Sequence, residues 1–388
     1  MWAIATKDAF YLGTDDWFLV EHGRHPLTWD RLFSLQREGT PAVRPLSLAF
    51  ARLCHLLFGD ACLPRRALIL ALHAAAATSV YLLGRRWDGE RAGRMAALLF
   101  LVWPLHAETL SWFHSGETAV PFATLSLAAL AAFVHGVNAT WVVLFQLTAL
   151  LFRENAVVLG PLMVALGTID ARDGDRRWRD ALHAGLTRAR WPLAVTLGWI
   201  AVRAAQVISA LDGHSGAALP FADDPLDAVA TVLFHVFCPV LPGFTVSAAL
   251  AIVSAIAIGV GLWRAFGGPE RPSFAGLRGL LLALTFAAPF VPLLDASDPL
   301  FEVYPGIYER RWYHLYPVVA GLTLVLGRAA ARLGAPWAAL PPLLSGALLI
   351  LPASTSSRPR SPKALPSPSS STPRPETPSS PSSSSTRS

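Results

Sequence analysis

Two adjacent acids, Asp15 and Asp16, lie between Tyr11 and Trp17, and Arg44-Pro45-Leu46-Ser47 follows further along the chain. Like charges on neighbouring carboxylates hold one proton affinity up. That suits a base which takes a proton from a sugar or protein hydroxyl near neutral pH; a helix cap or a solvated loop is the plainer use. Arg44 precedes a proline that fixes the backbone, and Leu46, Leu48, Phe50 and Leu53 suit an amphipathic helix along a membrane interface. A guanidinium held there can grip a lipid phosphate through two parallel hydrogen bonds. Snorkelling towards ordinary anionic lipid would produce the same pattern.

Three further clusters carry chemistry. Trp103-Pro104-Leu105-His106-Ala107-Glu108-Thr109-Leu110-Ser111-Trp112, followed by His114 and Gly116-Glu117, joins two apolar stretches. His106 and Glu108 are weak candidates for a divalent-cation site, against the plainer reading of a hydrogen-bonded loop that orients the acids of the first loop. Phe152-Arg153-Glu154-Asn155 wedges charges between apolar blocks, where an internal ion pair is the structural use and a substrate contact the functional one. Glu309-Arg310-Arg311-Trp312-Tyr313-His314-Leu315-Tyr316-Pro317 opens the last cluster, and its paired arginines suit an anionic phosphate.

The elements that must position these residues are helices in lipid. Of 388 residues 53% are hydrophobic and 15% charged, with a mean hydropathy of +0.44. Soluble domains carry a charged share of about 25%. Apolar stretches fall near 67–84, 91–105, 117–136, 138–152, 155–170, 191–211, 244–263, 278–294, 312–332 and 336–352. At about 1.5 Å per residue these suit a hydrocarbon core of about 30 Å, and lipid forces each into a helix. The reading is an all-α, polytopic membrane protein with about ten crossings. The stretch 225–243, broken by Pro239 and Pro242, is expected at the surface.

Arginine sets the orientation. Linkers with Arg85, Arg86, Arg91 and Arg94, with Arg172 to Arg190, and with Arg264, Arg271 and Arg278 alternate with linkers poor in Lys and Arg. The first set is expected on the cytoplasmic side, which puts His106 to Glu117, Asp212 to Asp227, Asp295 to Arg311 and the Asp15-Asp16 loop outside. The net charge of +6 then reflects cytoplasmic loops and a basic tail rather than nucleic-acid binding. Residues 1–66 form an outer first loop with an interfacial helix, 67–352 the transmembrane domain, and 353–388 a Ser/Pro-rich tail expected to be disordered. An outer first loop calls for a helix before it, so a further spanning segment upstream of Met1 is expected. Cys54, Cys62 and Cys238 have no metal-ligand spacing and are expected to pack as small apolar residues. The acceptor triplet Asn138-Ala139-Thr140 falls in a short cytoplasmic turn and is discounted as a glycosylation site.

Taken in order, Asp15-Asp16, Arg44-Pro45-Leu46-Ser47, Leu72-His73, Pro104 to Glu108, Gly116-Glu117, Arg153-Glu154 and Glu309 to Pro317 resemble the landmarks of GT-C glycosyltransferases. The likeness is to the protein O-mannosyltransferase branch, and within it to the transmembrane-and-TPR mannosyltransferases and their bacterial relatives. It spans residues 11 to about 330. The resemblance implies a GT-C type helical bundle with a periplasmic or luminal active-site face, in a bacterial inner membrane. It implies transfer of a sugar, mannose in this branch, from a polyprenyl-phosphate donor to an extracytoplasmic protein or glycan acceptor, with inversion. By the same resemblance Asp15 or Asp16 is the base. Arg44, Arg310 and Arg311 steady the departing lipid phosphate. His106, Glu108, Glu117, Arg153, Glu154 and Tyr313 shape the donor pocket, with a divalent cation left open. The chain departs from the pattern in showing no 34-residue repeat, in having Arg153-Glu154 for the family's Lys-Glu, and in having Gly116-Glu117-Thr118-Ala119 for its Gly-Arg-Ala-Asp. The alternative is a non-catalytic membrane protein, either a transporter or a lipid-binding remnant of such a transferase. Transporters place charges near the bilayer midplane and often show internal repeats, whereas the polar clusters here lie at helix ends.

Overall fold

A computed structural model of the chain describes residues 24–28, 44–59, 61–103, 106–111, 113–173, 177–211, 275–287 and 316–333. The chain divides into two units, Met1–Leu351 and Pro352–Ser388, and every described residue belongs to the first.

All regular structure among the described residues is helical. α1 (Pro45–Phe58) begins on a proline, whose fixed φ and missing N–H suit a first helical turn. α2 (Cys62–Asp88) ends at Gly89, which with φ +88° is also the residue before α3 (Glu90–Val102). One residue in a conformation that side chains disfavour thus reverses the chain, and α2 and α3 run back to back. The short α4 (His106–Ser111) leads into α5 (Phe113–Val134). Asn138 then caps α6 (Ala139–Phe152), its side-chain oxygen accepting from the Thr140 N–H at 2.9 Å. A 3-10 turn, Glu154–Val158, opens α7 (Leu159–Asp173), followed by α8 (Trp178–Arg188), α9 (Arg190–Leu211), α10 (Ala275–Ala287) and α11 (Tyr316–Leu333).

These helices coincide with the expected apolar stretches from 67–84 to 191–211, with 278–294 and with 312–332. Those at 244–263 and 336–352, the stretch 225–243 and the tail lie outside the described residues. Among the described residues three helical segments are long and apolar enough to cross a membrane: Leu63–Asp88, Gly116–Val134 and Glu154–Asp173. α3, α6 and α10 have 13, 14 and 13 residues, so at about 1.5 Å per residue each is shorter than a hydrocarbon core. α8 is an addition to the expected elements, inside what reads in sequence as a cytoplasmic linker.

Between membrane helices, where lipid is as apolar as leucine, close backbone approach through small residues takes over much of the packing. A Cβ on Gly84 would sit 2.8 Å from the Gly93 Cα, closing α2 on α3. On Gly327 it would lie 2.6 Å from the Ala96 N, and on Gly279 3.0 Å from the Gly321 carbonyl oxygen, so α11 is wedged between α3 and α10. On Gly185 it would lie 2.7 Å from the Thr168 N, which ties α8 antiparallel to α7. Around these crossings the buried Leu83, Phe100, Phe122, Leu127, Leu150 and Phe286 fill one continuous core.

Charge sorts to the two ends of the bundle. At one end Arg328 of α11 donates to Asp88 at 2.7 Å, and Arg278 of α10 bonds Asp170 at 2.9 Å and also Asp173. Arg188 reaches Asp170 at 3.0 Å and the Phe133 carbonyl oxygen at 2.7 Å, with its guanidinium over the Phe133 ring. It thereby caps the open carbonyls at the end of α5 and opposes that helix's negative terminal dipole. Among the arginines expected to be cytoplasmic, Arg188 and Arg278 thus share Asp170 at one end, and Arg44, Glu117 and Glu154 lie at the other.

Candidate functional site at the opposite end of the bundle

Arg44, just ahead of α1, and Glu154, first residue of the 3-10 turn, meet in a bidentate ion pair. Nε donates to Oε2 at 2.9 Å and Nη2 to Oε1 at 2.6 Å. The side chains are 27% and 33% exposed, so the pair is open to water at the end of the bundle. Its geometry is fixed from below, where the Ser47 hydroxyl donates to the Phe152 carbonyl oxygen at 2.8 Å and locks the first turn of α1 onto the end of α6. The Arg153 guanidinium acts electrostatically on the same carboxylate, and Arg203 of α9 interacts with both Glu154 and Arg44. Arg153 is itself buried to 1% exposure, the largest fully buried side chain described.

A second ion pair lies inside. Arg65 of α2 donates from Nη1 to Glu117 Oε1 of α5 at 3.0 Å, and from Nη2 to the Gly59 carbonyl oxygen at 2.8 Å. Both side chains are essentially excluded from water. One guanidinium thus satisfies the terminal carbonyl after α1 and a carboxylate on α5, fastening three elements together. The Cys54 thiol packs beside Glu117, and burial, then the neighbouring carboxylate, pushes it up to about 12. It is a free, buried thiol held neutral, the packing role expected for it.

The third group is aromatic. His73 of α2 and the Tyr316 hydroxyl of α11 share a hydrogen bond through Nδ1, while Nε2 lies 3.3 Å from the Leu101 carbonyl oxygen. A carbonyl only accepts, so Nε2 carries the proton and Nδ1 receives the Tyr316 O–H. His106 stacks into the same cluster, with ring centroids 4.3 Å from Tyr316, 4.6 Å from Phe100 and 5.0 Å from His73. Neither of its ring nitrogens meets a hydrogen-bond partner among the described residues. Burial first, then nearby His73, holds it well below the usual histidine range.

Of the residues singled out in the sequence, Arg44, His106, Glu117, Arg153 and Glu154 fall at this end. Asp15, Asp16, Arg310, Arg311 and Tyr313 lie outside the described residues, as does the side chain of Glu108. Glu154 is in an ion pair, as the structural reading of Arg153-Glu154 has it, yet its bonded partner is Arg44. His106 sits in an aromatic core rather than on an open loop, and no group of three His, Cys, Asp or Glu side chains that could hold a metal occurs among the described residues. Sequence reasoning passed over Arg65, Arg66 and Arg203. Arg65 and Arg66 are both buried, and a charged pair so close to the start of an apolar stretch is the signal that marks them.

No family model, no curated protein and no solved structure matches the chain.

Proposed function

We propose that the chain is a polytopic membrane glycosyltransferase of GT-C type, which moves a sugar from a polyprenyl-phosphate carrier to an acceptor hydroxyl outside the cytoplasm. The reading extends the three apolar helices to about ten crossings and sets the arginine-rich end in the cytoplasm. The observation that carries it is the water-accessible guanidinium of Arg44, backed by Arg153 and Arg203, at the end of the bundle away from the cytoplasmic arginines. Leu53, Leu56 and Leu57, towards the far end of α1, are exposed, an apolar face suited to lie against lipid.

In the proposed reaction Asp15 or Asp16 takes the acceptor proton as the acceptor oxygen attacks the anomeric carbon. The bond from that carbon to the phosphate oxygen breaks, and polyprenyl phosphate leaves with the electron pair. Arg44, together with Arg310 and Arg311, meets the charge that develops on the phosphate, a contribution of several kcal/mol where water is excluded. Glu117 and His106 hold the surrounding helices in register rather than touching the sugar. Asp15→Asn and Asp16→Asn, assayed separately in membranes, should leave one variant without transfer. Full turnover by both would remove the base from the mechanism.

A second reading draws on the Arg44–Glu154 and Arg65–Glu117 pairs, which give each described carboxylate at this end a structural partner. On that reading the chain is a lipid-binding protein without catalysis, and it predicts donor binding with no transfer.

A further inference from the structure

We propose that Arg44 is the grip of a subsite for a lipid-linked phosphate, and that the Glu154 carboxylate occupies this subsite as an internal stand-in which the phosphate displaces. The inference rests on the phosphate role given to Arg44 above and adds to it an occupant and a direction of regulation. A carboxylate that receives two parallel N–H bonds from one guanidinium presents the same acceptor geometry as two oxygens of a phosphate. Glu154 makes that contact with Arg44 at 2.6 and 2.9 Å. The pair is partly open to water rather than sealed, so an incoming anion can reach it, in contrast to the Arg65–Glu117 pair a few turns away. Arg153, buried just ahead of the 3-10 turn, and Arg203 of α9 add positive charge to the surroundings of the pair. The backbone does not depend on the ion pair to hold α1, because the Ser47–Phe152 hydrogen bond ties its first turn independently. Exchange of Glu154 for phosphate can therefore proceed by side-chain rotation.

The size of the effect follows from the exposure. A partly exposed ion pair is weak, so Arg44 is released from Glu154 in roughly a sixth to a third of molecules. Apparent affinity for an anion scales with that competent fraction. Removing the carboxylate should tighten phosphate binding about three- to sixfold, and more once its repulsion of the ligand is counted.

The test is binding of citronellyl phosphate, a short soluble polyprenyl phosphate, to the full chain in detergent, read by calorimetry. Glu154→Gln should bind it at least about threefold more tightly than the parent, and Arg44→Gln at least tenfold more weakly. Glu154→Asp, which keeps the charge but is too short for the bidentate contact, should fall between parent and Glu154→Gln, and it serves if the amide variant does not fold. Weaker or unchanged binding in the Glu154 variants, with Arg44→Gln still impaired, would overturn the stand-in and leave the phosphate role of Arg44 intact. Equal binding by parent and Arg44→Gln, or none by any form, would overturn both.

Discussion

Replacing Glu117 by Gln should destabilise the bundle more than any surface charge change, because the replacement strands a cation in a dry site. Glu117 and Arg65 are 1% and 4% exposed and 3.0 Å apart. Breaking such a pair from one side costs about 3–5 kcal/mol, and the glutamine oxygen, still an acceptor, puts this variant near 3 kcal/mol. Arg65→Met is costlier, about 4 kcal/mol, since it removes the cation from a buried carboxylate and also the donor to the Gly59 carbonyl oxygen. Arg65→Met combined with the same Glu117→Gln removes both charges at once and should cost about 2–3 kcal/mol, from the lost carbonyl bond and the buried amide. The coupling between the sites is therefore expected to exceed about 2 kcal/mol. Equilibrium unfolding in mixed micelles of dodecyl sulfate and a non-ionic detergent, followed by fluorescence of the 13 tryptophans, measures all four forms. Additive losses within about 0.5 kcal/mol would refute the claim that the pair is closed to water.

Other perturbations read different parts of the structure. Gly327→Ala should lower stability in the same assay, since the added methyl meets the backbone of α3 at 2.6 Å, whereas Gly198→Ala, with nothing within 4 Å, should raise it by about 0.5–1 kcal/mol; equal effects would contradict the close crossing. Cys54 should resist iodoacetamide at pH 8 in the folded protein and react after denaturation, because its thiol is buried and pushed up to about 12; rapid alkylation in the native state would contradict that environment. Arg188→Ala should cost about 1–3 kcal/mol by exposing the last carbonyls of α5 and an acid of α7, and Arg188→Lys should recover only part of it; full recovery by lysine would deny the fork geometry its role.

What was legible in the sequence was the part written locally. Apolar runs marked α2, α3, α5, α6, α7, α9, α10 and α11, and the proline of Arg44-Pro45 marked the start of α1. Alternation of arginine-rich and arginine-poor linkers grouped Arg188 and Arg278 on one side, and both reach Asp170 at one end of the bundle, but it gave no sign of the Arg328–Asp88 pair beside them. Pairing across the chain left no such trace. Arg44 finds Glu154 at a separation of 110 residues and Arg65 finds Glu117 at 52, and no spacing rule reaches that far. The adjacent arginine in Arg153-Glu154 was the nearer choice on the page, but neighbouring residues in extended or 3-10 backbone point apart. α8 was hidden by its charge, although Trp178, Leu182 and Leu186 repeat at helical spacing. His106 read as part of an outer loop because Pro104 precedes it and Glu108, Thr109 and Ser111 follow. Its neighbours in space are rings from α2, α3 and α11.

The most direct test of the account is transfer itself. Membranes containing the full chain would be incubated with a panel of radiolabelled polyprenyl-phosphate sugars, and label counted in the delipidated acceptor fraction. The account predicts that at least one donor gives transfer and that Arg44→Gln abolishes most of it while the protein remains folded. Label that stays with the lipid for every donor, or transfer that persists undiminished without Arg44, would contradict it.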